Sequence, residues 1–512
     1  MTSVPPTAPE PATAAASAEA PTSSGSGVAL DHAVVRGGLW LVAAGLIGRV
    51  MTVIGTVKIT HLIAPAEYGE VSVAVVVAFT THALANVGTG TYVIANPDAP
   101  PEDLFLGAFL HVAIGAVLFG AMLALGRPLG AAFGAPAMSR YLPGLAFALM
   151  CERVGLVPER LLVRQMRFRA SSLQRAVAEM LYTVVSVGTA LAGMGGMAIV
   201  AGNVARSGGR LPIVFSLVGW REWLRPVRLR WPAIRRFVRF GAPISLGQIV
   251  SFAIRRWDNL VVSRLHGTAA VGAYNLAYNL ADIPAVQIGE QVTEALQVGF
   301  TKDRANEPRQ QLLQSLSVLA FVMTPLAVGL GTLAPTLTSV FLDRRWAEVG
   351  PMLMWLSVIS FPRPLSGVVG AYMQVRQRRR AFLAMELFTL VTLLGSLLTL
   401  GRLSPIAACI AVGLTFILRL VATGVLLWKL DNVPLLSFFR PQVPPLAAAF
   451  VMAAAVTAVR LGLRHAGVPG ALSLVAQFAT GVVAYAVAAW IIAPKSSREF
   501  LSLIRQVRHR EK

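Results

Sequence analysis

Residues Leu312 to Phe341 read LLQSLSVLAFVMTPLAVGLGTLAPTLTSVF, without one Asp, Glu, Lys or Arg. As a helix, this run exceeds the ~20 residues that cross about 30 Å of hydrocarbon. Comparable apolar blocks follow one another from Gly37 to Ala493. Helices are the economical form for such blocks, because each satisfies its own backbone hydrogen bonds without water. The strict alternation of a membrane barrel is absent. Composition agrees: of 512 residues, 55% are hydrophobic and 13% charged, with a mean hydropathy of +0.65. A soluble chain needs far more polar surface.

Working outward from this run, the hydropathy pattern predicts about fourteen spans. Their approximate limits are 38–62, 70–95, 103–126, 141–158, 173–193, 197–219, 241–264, 273–299, 312–341, 349–374, 381–401, 405–428, 443–463 and 469–493. Alternate loops are rich in Lys and Arg, notably Arg160 to Arg175, Arg221 to Arg239, Arg376 to Arg380 and the tail from Lys495. The positive-inside rule therefore predicts that both termini are cytoplasmic. No loop is long enough to fold separately.

The net charge of +21 would suggest nucleic acid in a soluble protein. Here the basic residues sit mainly in short loops, so they read as topology signals and no nucleic-acid partner is expected. Cys151 and Cys409 lie inside apolar blocks and encode neither a disulfide framework nor a metal cluster. Residues 1–36 are expected to form a disordered cytoplasmic tail, since the first thirty lack Lys and Arg and resemble no secretory signal. Catalytic patterns are missing as well. The histidines (32, 61, 82, 111, 266, 465 and 509) show no metal-binding spacing, and neither a Walker A loop nor a G-x-S-x-G elbow occurs. No enzyme activity, metal or cofactor is expected.

A shift of 203 residues superposes two stretches without gaps: Arg36 meets Arg239, Gly38 meets Gly241, Leu62 meets Leu265, Ala66 meets Ala269, Gly69 meets Gly272 and Ala74 meets Ala277. The shift spans six predicted helices, an even number, so both copies have the same orientation. Parallel repeats of this kind are a transporter feature, with substrate sites between the halves. The expected organisation is a first six-helix lobe at 37–219, a basic linker at 220–240, a second lobe at 241–428, two additional helices at 429–493 and a basic cytoplasmic tail at 494–512.

These stretches also carry a family resemblance. Leu62-Ile63-Ala64-Pro65-Ala66-Glu67-Tyr68-Gly69 resembles the turn after the first helix of polysaccharide and oligosaccharide flippases. Phe240-Gly241-Ala242-Pro243-Ile244-Ser245 is similar to the start of their seventh helix. Arg256-Trp257-Asp258-Asn259-Leu260, followed by Gly272-Ala273-Tyr274-Asn275-Leu276-Ala277-Tyr278, resembles their seventh and eighth helices, and Pro158 to Arg169 their basic segment after helix four. Together they resemble Wzx-type exporters of the MOP superfamily (multidrug, oligosaccharidyl-lipid and polysaccharide carriers). The resemblance implies an all-α polytopic membrane protein with two parallel six-helix lobes around a central cavity, plus two C-terminal helices. It also implies a polyprenyl-diphosphate-linked oligosaccharide as cargo.

Charges within the predicted spans are the candidate functional residues, since a central Arg costs about 2.5–3.5 kcal/mol on insertion scales and needs a cavity or partner. Arg49, Arg255 and Arg256 are the leading candidates for cargo, because guanidinium groups bind phosphate bidentately. One of Arg255 and Arg256 is expected to line a cavity and the other to pair with an acid such as Asp258. Lys58, Arg363 between two prolines, and Arg206 with Arg210 on one helical face are further candidates, with Arg419 a weaker one. Packing alone is the plain alternative for each. Asp258, Asp282, Glu290 and Glu294 are candidates for coupling to H+ or Na+, although flipping down a gradient would need no ion.

The expected function is alternating-access flipping of a lipid-linked oligosaccharide across the inner membrane, alongside a polysaccharide polymerase and export machinery. Alternatives are export of another lipid or small molecule, or a membrane polysaccharide polymerase or ligase. A basic interior disfavours cationic drugs, and short outer loops disfavour a polymerase.

Overall fold

A computed structural model describes residues 55–96, 98–226, 231–290 and 308–500, and every regular element among them is helical. Residues 55–62 are helical and are labelled α1. There follow α2 (Pro65–Leu84), α3 (Thr89–Ala95), α4 (Pro101–Ala124), a short α5 (Gly126–Ala132), α6 (Leu142–Arg164), α7 (Phe168–Leu191) and α8 (Met197–Leu217). The second half contains α9 (Trp231–Pro284), α10 (Pro308–Phe341), α11 (Val349–Leu356), α12 (Pro362–Val375), α13 (Arg379–Thr399) and α14 (Pro405–Asp431). It closes with α15 (Leu435–Phe439), α16 (Val443–His465) and α17 (Gly470–Ile492).

Local chemistry sets many of these limits. Pro101 stands in the first turn of α4, with Glu102 and Asp103 beside the positive end of the helix dipole. The Ser404 hydroxyl accepts from the backbone N–H of Ala407 at 3.0 Å and caps α14, which ends at Asn432 with φ +51°.

Among the described residues, eight helices are long and apolar enough to cross a membrane, or nine if α2 and α3 make one bent span. The described helices follow the predicted positions, but this number falls short of fourteen. Two reasons are physical. The single element α9 holds two predicted spans, folded back on each other at Gly267, whose φ of +83° favours glycine. The helices α6, α7 and α8 are diluted by charges that pair with one another inside the bundle, as described below. The outer faces are apolar where a soluble protein would be polar: Phe478, Val482, Val483, Val487, Trp490 and Ile491 of α17 are all exposed. This is a multi-span membrane protein.

Two predicted spans are broken. The span predicted at 70–95 bends by 50° between α2 and α3. Gly88 turns the chain with φ +72°, and Asn86 Oδ1 accepts from its N–H at 2.9 Å. The span at 349–374 is interrupted by a 3-10 turn, Ser357–Ser360, just ahead of Pro362, where the missing N–H prevents a continuous helix.

The repeat-related glycines 69 and 272 meet. A side chain on Gly69 would strike the carbonyl of Thr268 and approach Gly272 N at 3.1 Å; one on Gly272 would strike the carbonyl of Pro65 and approach Gly69 N at 3.1 Å. Pro65 and Thr268 are themselves related by the 203-residue shift. The contact is therefore reciprocal, as on a twofold axis. Beside it, Trp346 Nε1 donates to Thr60 O at 2.7 Å and Arg345 to His61 O at 2.8 Å, while His266 Nε2 meets Gly401 O at 2.7 Å. These contacts gather the turns after α1, at Gly267, after α10 and after α13 at one end of the bundle.

From that end, α2 runs beside the first limb of α9. Phe79 stacks on Phe252 at 6.5 Å, and Trp257 Nε1 donates to Thr80 Oγ1 at 3.1 Å. Further along, Gln248 and the Ser245 hydroxyl bond to Asn86. One hydrophobic core continues from α2 and α6 through α9 to α11, α13 and α14. The last two long helices pack on α10 through Met452, Val456 and Ala488, and Tyr485 donates to Phe321 O at 2.7 Å.

Candidate functional site: a polar ladder in the α9 hairpin

Arg256 and Asn259 stand three residues apart on the first limb of α9, and Asn275 and Asn279 four apart on the second. Each spacing puts its pair on one helical face. The turn at Gly267 brings these faces together and builds a continuous ladder. Arg256 donates to Asn279 Oδ1 at 2.9 Å, Asn279 Nδ2 to Asn275 Oδ1 at 2.9 Å, and Asn275 Nδ2 to Asn259 Oδ1 at 2.8 Å. Asn259 Nδ2 then donates to Asp258 Oδ1 at 3.0 Å. All three amides point the same way, with acceptor toward the cation and donor toward the carboxylate. Bonds aligned in this sense polarise and strengthen one another.

Asp258 is fully buried, at 0% exposure. Its carboxylate is tolerable there because donors surround it: the Asn259 side chain, the Asn259 backbone N–H at 3.0 Å and the Tyr274 hydroxyl at 2.5 Å. Arg256 therefore reaches Asp258 through the asparagines, not by a direct ion pair. Its guanidinium lies 6.0 Å from the centre of the Tyr278 ring. Guanidinium has five N–H donors, so the Asn279 bond leaves most of them for an anion.

The other sequence candidates fall in different places. Arg255 is exposed, unlike its neighbour, and Lys58 is exposed near the end of α1. Arg363 forms an ion pair with Asp282 across α12 and α9, each side chain 14% exposed; the cargo candidate and the coupling candidate are thus partners. Arg206 lies between Glu152 at 3.7 Å and Glu179 at 3.8 Å, and also donates to Asn203 at 2.9 Å. Arg210 pairs with Glu159 and donates through Nε to Gln174 at 2.7 Å. Arg419 pairs with Glu386, which Ser251 approaches at 3.5 Å. Arg49, Glu294 and the side chain of Glu290 lie outside the described residues.

Arg153 was not among the sequence candidates, although a charge within Leu142–Val157 was a visible signal. It is 1% exposed and has no carboxylate partner among the described residues. Instead it donates to His82 O at 2.6 Å, Ala85 O at 3.2 Å and His111 O at 2.7 Å. Two of these carbonyls belong to the C-terminal end of α2. Arg153 thus caps the broken helix, with its charge at the negative end of the helix dipole.

The family model described as polysaccharide biosynthesis protein matches residues 59–351, more than half of the chain and the whole of the ladder. The chain belongs to this family. The lipopolysaccharide biosynthesis protein WzxC of Escherichia coli is 22% identical over 401 residues, covering 78% of this chain and 81% of that protein. The succinoglycan biosynthesis transport protein ExoT of Rhizobium meliloti is 26% identical over 455 residues, covering 87% and 90%. Among solved structures, the lipid II flippase MurJ in an inward closed conformation has a TM-score of 0.70 at 13% identity, covering 88% of this chain and 98% of that one. At that identity the likeness concerns the fold. Within this polysaccharide biosynthesis family member, the ladder residues Asp258, Asn259, Tyr274 and Asn275 coincide with the motifs that carried the resemblance.

Proposed function

We propose that this member of the polysaccharide biosynthesis family flips a polyprenyl-diphosphate-linked oligosaccharide across the inner membrane by alternating access. The observation that carries the proposal is the arginine end of the ladder. Arg256 is held inside the bundle by an amide and a tyrosine ring, without a carboxylate salt bridge among the described residues. A cation so placed can exchange contacts with a diphosphate. The names of WzxC, ExoT and MurJ support transport of a large lipid-linked precursor over export of a small molecule.

The glycine crossing and the Trp346–Thr60 contact close the end opposite the most basic loops, which we assign to the periplasmic side with both termini cytoplasmic. Release would require these contacts to part. Asp258 and Asp282 are already engaged by donors or by arginine. This supports a cycle driven by polymerisation on the far side, without H+ or Na+ coupling. In proteoliposomes, dissipating both ion gradients should then change the flipping rate by less than about twofold; a tenfold loss, ~1.4 kcal/mol in barrier, would establish coupling.

The test of the site is Arg256→Ala in cells lacking redundant flippases. Periplasmic appearance of the lipid-linked oligosaccharide should fall at least tenfold, roughly 1.4 kcal/mol, at normal protein abundance. Unchanged export would remove Arg256 from the cargo path.

A further inference from the structure

We propose that Arg160 and Arg164 form a binding site for a phosphate-headed lipid at the Arg-rich end of α6. The site goes beyond the transport reading and does not rest on it. The two residues stand four apart on one helical face, with a rise of about 6 Å between them. Arg164 is the last residue of the helix, so both lie where a span meets the headgroup region. Arg160 Nε and Arg164 Nη1 are shut off from solvent and have no acceptor among the described residues.

The surrounding charges do not supply one. Glu159 is taken by Arg210 and by Arg175 at 3.2 Å. Glu222 accepts from Gln165 at 2.7 Å, and Glu102 faces Arg225 at 3.8 Å. Neighbouring basic residues are satisfied differently: Arg167 donates to Leu217 O at 2.5 Å, and Arg153 donates to carbonyls. Arg153 Nε is likewise buried without a partner, but the rest of that guanidinium is bonded. Arg160 and Arg164, both partly exposed, each keep one buried nitrogen with no bond to a described residue. That arrangement is costly until an anion completes it.

The space beside Arg160 is shaped for its side chain. A Cβ on Gly90 of α3 would lie 3.2 Å from Arg160 Nε and 3.7 Å from its Cγ. Glycine at this position lets the guanidinium lie close against the α3 backbone. Two guanidinium forks one helical turn apart match the oxygens of a phosphate or diphosphate better than two point charges would. A polyprenyl diphosphate and an anionic glycerophospholipid share this chemistry.

The test uses the full chain in phosphatidylcholine nanodiscs titrated with farnesyl diphosphate. In parallel, native mass spectrometry reads retention of dioleoylphosphatidylglycerol. Wild-type preference for farnesyl diphosphate would identify a polyprenyl diphosphate as the source, and retained phosphatidylglycerol would identify a bilayer lipid. In either case the double variant Arg160→Gln, Arg164→Gln should lose at least about tenfold in affinity for the preferred lipid. Gly90→Ala keeps both charges but displaces Arg160, and should weaken binding severalfold. Equal binding of both lipids by wild type and a folded double variant would overturn the site. If the double variant does not fold, unaltered binding by Gly90→Ala would overturn it.

Discussion

Asp258 holds three donors on two oxygens, and each donor is itself part of the hairpin. Removing the carboxylate leaves the Tyr274 hydroxyl and an Asn259 amide buried without partners, at about 1–3 kcal/mol each. Asp258→Ala should therefore lower the unfolding temperature of the purified protein markedly, and Asp258→Asn by less. Equal stability of Asp258→Ala and the wild type would show that the ladder does not hold the hairpin together. Arg153→Met should also destabilise, because three buried carbonyls lose a charged donor worth roughly 1.5–3 kcal/mol per bond. Thermal unfolding in detergent measures both. The charged ends of the ladder were legible in the sequence, because Arg and Asp inside an apolar run stand out. The asparagines between them were not, since their role depends on which faces meet after the turn at Gly267. The pairing of Arg363 with Asp282, 81 positions apart, was equally invisible.

At the scale of elements, the Gly69–Gly272 crossing lets two helices approach backbone to backbone. Any side chain there must force the helices apart. Gly272→Val should cost about 1–3 kcal/mol through overpacking. If this crossing is the closed gate, the same variant should raise reactivity of a nearby reporter cysteine toward an aqueous reagent. A tightly closed, fully stable variant would contradict that role. The two broken spans show what sequence can convey about elements. The break before Pro362 has a local cause, and Pro362 and Pro364 announced it. At the bend over Ala85–Gly88, Ala85 O accepts from Arg153, 68 positions away; a sliding hydropathy window reads straight across it. The glycines marked the repeat in the sequence, but only the folded chain shows them in reciprocal contact.

For the whole molecule, the reciprocal crossing brings together the two stretches, Pro65–Gly69 and Thr268–Gly272, that the 203-residue shift relates in sequence. The apolar outer faces and long helices give the membrane assignment, much of which was legible from composition alone. The polarity of α6 to α8 would be misread as evidence against spanning if their charges were considered singly. Arg175, Arg206 and Arg210 pair with Glu152, Glu159 and Glu179 between helices, three charges of each sign. Orientation has a direct test, because Cys151 and Cys409 are both buried. An impermeant thiol reagent added to intact cells should label Ala347→Cys and spare Gln377→Cys; the reverse pattern would invert the proposed topology.

The central claim concerns the movement of cargo. The most direct measurement is the sidedness of lipid-linked oligosaccharide in a strain lacking this chain and every redundant flippase, using a periplasm-restricted glycan-modifying enzyme. Cargo should accumulate unmodified on the cytoplasmic side, and the wild-type chain should restore modification. Unchanged modification in the deletion strain would contradict the flippase account.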